Sequence, residues 1–118
     1  MLNMPLLKLE TTVVLTEERR QALLVDLSKA VGEIIGKPQQ YVMVAASQSA
    51  MMMSGTGDDA AFVDVRSIGG LSGEVNRKLS RKVCQLLNES LGVPPNRIYL
   101  NFTEVPAGDW GWNGNTFG

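Results

Sequence analysis

The sequence predicts a single α/β (α+β) domain. Two β-α-β units follow each other and join into one four-stranded sheet with both helices on one face. Three observations predict it. Two apolar stripes of helical period are each closed by a glycine with proline just beyond. Short alternating or apolar runs flank each stripe. The segment Gly36-Lys37-Pro38-Gln39-Gln40-Tyr41-Val42 lies 56 positions before Gly92-Val93-Pro94-Pro95-Asn96-Arg97-Ile98, and that offset also carries Leu7-Lys8-Leu9 onto Val63-Asp64-Val65. A repeated unit of this kind closes a sheet by short, same-handed connections, with the helices packed as one layer.

In chain order, Leu7-Lys8-Leu9 alternates as a half-buried strand does. Thr16 is placed to cap the first helix, with Glu17 and Glu18 in its first turn, where acids suit the helix dipole. Leu23, Leu24, Leu27, Val31, Ile34 and Ile35 recur at steps of three and four, until Gly36 supplies a left-handed stop and Pro38 prevents continuation. Tyr41-Val42-Met43-Val44 reads as a short buried strand. Ser47 to Asp59, rich in Ser and Gly, reads as a loop, its Met51-Met52-Met53 triplet packing against something adaptable. Phe62-Val63-Asp64-Val65 is the third strand. Ser72 opens the second helix, whose stripe is Val75, Leu79, Val83, Leu86, Leu87 and Leu91, and Gly92 closes it. Ile98, Leu100 and Phe102 then alternate with Tyr99, Asn101 and Thr103 in the fourth strand. Residues 108–118 form a glycine-rich aromatic tail on a flexible backbone. Its Trp110, Trp112 and Phe117 pack on the core or a neighbouring subunit, or line a ligand pocket.

Two helices cover only one face of such a sheet. The other offers Tyr99, Asn101 and Thr103 rather than a fully charged surface, which predicts a homo-oligomer interface.

Composition excludes several function classes. With 118 residues the chain is one domain, 1–118, and 11 basic against 12 acidic residues leave no electrostatic footprint for nucleic acid. No apolar run approaches the roughly 18 residues of a membrane helix, and the start lacks the features of a signal peptide, so a cytoplasmic protein without membrane association is expected. The absence of histidine excludes Ser-His-Asp and Cys-His catalysis and imidazole-bound zinc. The single cysteine, Cys84, excludes an intrachain disulfide and a Cys-x-x-Cys redox pair. Acid–base chemistry is left to carboxylates, lysine, tyrosine or an amino terminus. Neither a cofactor nor a metal is implied.

Some motif matches fail. Gly32-x-x-x-Gly36-Lys37 is one residue short of a phosphate-binding loop, lacks its Ser/Thr and lies at a helix end. Gly69-Gly70 before Ser72 suits an anion at a helix start, but a strand-to-helix connection needs glycines anyway. Asp58 and Asp59 read as solvated loop acids.

The remaining motifs act as a set: Pro5-Leu6-Leu7, Gly36-Lys37-Pro38-x-x-Tyr41, Ser67-Ile68-Gly69, Arg97-Ile98-Tyr99-Leu100-Asn101-Phe102 and Gly111-Trp112-Asn113-Gly114-Asn115-Thr116-Phe117. In this order and spacing the chain resembles the macrophage migration inhibitory factor and D-dopachrome tautomerase family, within the tautomerase superfamily, from Met4 to Phe117. The resemblance implies a homotrimer with active sites between subunits, and a catalytic proline exposed as the amino terminus. Here that residue is Pro5, and the implied activity is keto–enol tautomerisation of small aromatic α-keto acids of the phenylpyruvate or dopachrome type. A terminal proline is a secondary amine; an apolar pocket and a nearby cation both disfavour its protonated form, so it can act as a base near neutral pH. The plain alternative for Pro5 is the start of a strand where no N–H is needed.

By the same resemblance Lys37 is the cation that lowers the proline pKa and holds the substrate carboxylate; alternatively it is a lysine well placed at a helix C-terminus. Ile68 matches a position whose backbone meets substrate. Asn101 and Tyr99 match residues supplied by the adjacent subunit, the first orienting the substrate carbonyl and the second walling the pocket. Tyr41, Trp112 and Phe117 would form an aromatic mouth. Ala60-Ala61-Phe62-Val63 replaces the Cys-x-x-Cys of the mammalian cytokines, so thiol oxidoreductase activity should be absent, and Arg66 replaces a histidine. Some members of that family are exported without a signal peptide. Residues 1–4 read as an extension or initiator segment; where Met1-Leu2-Asn3-Met4 is retained, Pro5 is an amide and no base. The competing reading is then a non-catalytic trimer that binds a ligand or protein partner.

Overall fold

The computed structural model describes residues 4–118. Strand β1 (Leu6–Thr11) leads to helix α1 (Glu17–Ile35) and strand β2 (Met43–Gln48); strand β3 (Ala61–Ser67) leads to helix α2 (Gly73–Leu91) and strand β4 (Ile98–Glu104). Adding 56 to Glu17–Ile35 gives Gly73–Leu91, so the two helices repeat residue for residue. The sheet order is β2-β1-β3-β4, parallel within each unit and antiparallel where β1 meets β3. Lys8 is both the cross-strand partner of Asp64 and its counterpart 56 residues away. The approximate twofold axis of the duplication therefore passes through that pair.

Both helix starts and stops follow the sequence reading. Thr16 Oγ1 accepts from the Arg19 N–H at 3.2 Å, and Ser72 Oγ accepts from the Val75 N–H at 3.1 Å. Gly36 and Gly92 end the helices with φ of 85° and 73°, a left-handed conformation open to glycine at little cost.

Alternation decides which strand residues meet the helices. Leu7 and Leu9 of β1 and Val63 and Val65 of β3 are fully buried, against Leu23, Leu27 and Val31 of α1 and Leu79, Val83 and Leu87 of α2. The two buried polar residues of the sheet, Thr11 and Ser67, are again counterparts. Each ties the turn after its strand: Thr11 Oγ1 accepts from the Val13 N–H at 3.3 Å, while donating to Ala60 O at 2.9 Å, and Ser67 Oγ donates to Gly69 O at 2.6 Å. Leu79, at the centre of the contact, makes the packing testable: Leu79→Ala should lower stability by about 2–5 kcal/mol, read from urea unfolding at unchanged slope.

Three expectations need correction. Tyr41 is not in the second strand; it closes a 3₁₀ turn, Gln39–Tyr41, that begins at Pro38, and the strand starts at Met43. That strand runs through Ser47 and Gln48, read from sequence as loop, because the parallel ladder to β1 outweighs the weak strand preference of Ala-Ala-Ser-Gln. The tail has a defined backbone: a hairpin of β5 (Gly111–Trp112) and β6 (Asn115–Thr116) turns on Asn113 and Gly114, with φ of 53° and 79°. Asn-Gly with two positive φ values is the turn whose twist matches a two-residue hairpin.

Candidate active site

Pro5 is buried, and its carbonyl accepts from the Met43 N–H at 3.0 Å, so the β1–β2 ladder reaches back to it. Because β3 runs antiparallel to β1, its exit lies beside Pro5, and Ile68 follows directly, half-buried. The connection from α1 to β2 brings Lys37 and Tyr41 to the same end of the sheet. Pro5, Lys37, Tyr41 and Ile68 are thereby gathered, from the start of β1 and two connections, at one end of the sheet.

Two residues to which the sequence reading gave no part in the site, Gln39 and Gly32, position Lys37 and Tyr41. Gln39 is locked onto α1: Ser28 Oγ donates to Gln39 Oε1 at 2.6 Å, and Gln39 Nε2 donates to Ser28 O at 3.0 Å. Gly32 accepts through its carbonyl from the N–H groups of Gly36 and Lys37, at 2.9 and 2.8 Å. A Cβ at Gly32 would lie 2.8 Å from Gln39 Nε2 and 2.9 Å from Lys37 O. The glycine that spoiled a phosphate-loop match thus lets the Lys37 connection cross the helix. Gly32→Ala should cost about 1–3 kcal/mol by overpacking against that backbone, measurable as a lowered urea midpoint.

The site residues of the fourth strand lie elsewhere. Across the helix-free face, cross-strand rows run Met43–Leu6–Arg66–Thr103, Ala45–Lys8–Asp64–Asn101 and Ser47–Glu10–Phe62–Tyr99. Leu6 marks the Pro5 end. Tyr99 is four residues further along, roughly 13 Å at 3.3 Å per residue, and two strands across. Both Tyr99 and Asn101 are exposed. Asn101 Nδ2 donates to Thr103 Oγ1 at 3.2 Å, and Arg66 is held by Asp64 through Nη2 and Nε at 3.0 and 3.1 Å. One chain therefore gathers Pro5, Lys37, Tyr41 and Ile68, and holds Asn101 and Tyr99 apart from them.

Trp112 and Phe117 do meet, their rings stacked at 5.9 Å with 12° between planes, and the Phe117 N–H donates to Trp110 O at 3.1 Å. The tail leaves β4 at the Pro5 end, beside Ser67, whereas Tyr41 enters the opposite edge strand. Three strand spacings, about 14 Å, separate those edges. The tail and Tyr41 thus enter that end of the sheet from its two opposite edges. Cys84 takes no part: it lies half-buried on α2, and desolvation by burial pushes its thiol up, away from the reactive thiolate.

This geometry defines a class: a duplicated β-α-β chain with a proline, a lysine and a strand-end backbone collected at one end of an open-faced sheet. The family model described as "Macrophage migration inhibitory factor (MIF)" matches residues 4–118. The macrophage migration inhibitory factor of Rattus norvegicus is 37% identical over 98 residues, 82% of this chain and 85% of that protein. The homolog of Trichinella spiralis is 37% identical over 115 residues, 97% of this chain and all of its own length. Among solved structures, the macrophage migration inhibitory factor-like protein of Entamoeba histolytica superposes with a TM-score of 0.93 at 34% identity, covering 97% of this chain and 99% of that one. Macrophage migration inhibitory factor of Toxoplasma gondii gives 0.92 at 38%, covering 95% and 99%. The chain belongs to the macrophage migration inhibitory factor family of the tautomerase superfamily.

Proposed function

We propose that this protein is a keto–enol tautomerase of small aromatic α-keto acids of the phenylpyruvate or dopachrome type, acting as a homotrimer in the form whose amino terminus is Pro5. The observation that carries the reading is the collection of buried Pro5 with half-buried Lys37 and Ile68 at one sheet end. The Pro5 nitrogen lone pair takes a proton from the carbon beside the carbonyl, and the bond's electrons move to the carbonyl oxygen as the enolate forms. A proton delivered to that oxygen gives the enol; the reverse order gives the keto acid. Lys37 holds the carboxylate. Asn101 of the next subunit donates from its amide to the carbonyl oxygen, where charge develops, and Tyr99, Tyr41, Trp112 and Phe117 wall the pocket. No step needs a cofactor or a metal.

A second reading follows from Met4, which precedes Pro5 in peptide linkage and is 8% exposed. With Met1–Met4 retained, Pro5 has no basic nitrogen, and the protein is a non-catalytic trimer that binds a ligand or protein partner. Residues 1–3 of that segment lie outside the described residues. Conversion of enol-phenylpyruvate by protein of verified amino terminus separates the readings. Catalysis by the Pro5 form supports the first; an intact trimer of that form without catalysis overturns it.

A further inference from the structure

The triplet Met51-Met52-Met53 has no part in the chemistry proposed above, yet it is carried on a built arm. Met53 and Thr56 exchange both backbone hydrogen bonds, at 3.1 and 3.0 Å, around Ser54 and Gly55, whose φ values are 53° and 75°. Two successive positive φ values make a hairpin turn of fixed shape. Arg97, at the entry to β4, clamps the arm with its guanidinium: it donates to Met53 O at 2.8 Å, Asp58 O at 2.7 Å, Asp59 O at 3.3 Å and Thr56 O at 3.4 Å.

The clamp sets the methionines beside Tyr99. Met51, Met52, Met53, Phe62 and Tyr99 wall a hollow of about 460 Å³. Met51 and Met53 are half-buried in the chain itself, whereas Met52 is 74% and Tyr99 66% exposed. An apolar patch of this kind on a fixed arm marks a contact surface. Tyr99 is held away from Pro5 of its own chain, four residues along the sheet and two strands across. Met52 shares that separation because it shares the hollow. The assembly that carries Tyr99 to the Pro5 of the next subunit therefore carries Met52 with it.

We propose that Met52 is a specificity-determining residue of the tautomerase, laid against the aromatic ring of the substrate at the Pro5 site of the adjacent subunit. This role rests on the between-subunit site of the homotrimer proposed above. With the carboxylate held at Lys37 and the reacting carbon at the Pro5 nitrogen, the ring is the end of the substrate still without a surface. A thioether on an unbranched chain is polarisable and follows a ring edge closely, a contact that a short alkyl group does not return. Met52 thereby favours aryl over small alkyl α-keto acids without touching the reacting atoms.

The test uses protein that begins at Pro5, with sedimentation confirming the trimer. Exchange of the C3 hydrogens for deuterium is followed by proton NMR for phenylpyruvate and for 2-oxobutanoate. Met52→Ala should lower kcat/KM for phenylpyruvate roughly fivefold, mostly through KM, and leave 2-oxobutanoate within about twofold. Met52→Leu, which keeps the apolar volume, should recover most of the loss. Reassembled with an excess of Pro5→Gly chains, Met52→Ala chains should regain the unmodified KM for phenylpyruvate, because each working Pro5 then meets an intact Met52. Equal loss on both substrates, no loss on either, or no recovery on reassembly would each overturn the proposal while leaving the tautomerase reading in place. Silence of the unmodified Pro5 form would overturn that reading, and the role of Met52 with it. If Met52→Ala parts the trimer, Met52→Gln, of similar length and polar, takes its place and should show the same selective loss.

Discussion

Protein that begins at Pro5 should convert enol-phenylpyruvate on the order of 10²–10⁴-fold faster than protein that begins at Met1, the range that a positioned general base contributes. The two forms differ at the nitrogen and in the residues before it, of which Met4 is buried. In the longer chain the nitrogen is a tertiary amide whose lone pair is delocalised into the carbonyl; in the shorter one it is a secondary amine. Pro5 is buried beside the β1–β2 ladder in the chain that carries Met4; a pocket that keeps water from the freed amine favours its neutral form. A cation at Lys37 acts in the same direction. Activity should therefore rise with pH as the amine loses its proton, and Lys37→Met should move that rise to higher pH while raising KM for the carboxylate substrate. Intact mass fixes each amino terminus, and stopped-flow absorbance gives kcat and KM. Equal rates from the two forms would remove Pro5 from the chemistry. Pro5→Gly in the short form should lower turnover by about 10²-fold with sedimentation unchanged.

Much of this architecture is legible without coordinates, for identifiable reasons. The helices are, because Thr16 and Ser72 cap, Gly36 and Gly92 stop, and the apolar stripes between them are long enough to fix a period. The sheet is, because the offset of 56 makes each unit a check on the other. Elements whose partners lie far off in sequence are less legible. Nothing local marks Ala45-Ala46-Ser47-Gln48 as a strand; only the ladder to β1 makes it one. The tail hairpin was open to reading from Asn113-Gly114 between short polar–aromatic pairs, but the glycine content around it masks the turn. At the site, Pro5, Lys37 and Ile68 are pointed to by the family resemblance, and the fold brings all three to one end of the sheet. Gln39 and Gly32 escape it: their role lies in a contact with Ser28 and in room for the Lys37 carbonyl, and neither follows a period.

The divided geometry carries a prediction of comparable size. Pro5 and Asn101 lie at different levels of one sheet, with Asn101 on the exposed face. If the homotrimer brings Asn101 of one subunit to Pro5 of the next, each site draws on two chains. Pro5→Gly removes the efficient base, and Asn101→Ala removes the donor to the developing oxyanion, for a loss of about 10²–10³-fold in kcat. Each variant trimer should be nearly silent alone. Mixed, dissociated in mild denaturant and reassembled at equal ratio, they should recover about a quarter of the activity of the unmodified protein. Around a closed ring, that is the chance that an intact Pro5 meets an intact Asn101 from its neighbour. A site contained within one chain predicts no recovery at all, since every chain then carries a defect. The measurement is phenylpyruvate turnover before and after reassembly, with sedimentation confirming the oligomer at both points. Native mass spectrometry of differently weighted variants checks that subunits have exchanged. A silent mixture with demonstrated exchange would place the whole site in a single subunit and require Tyr99 and Asn101 to serve the sheet face alone.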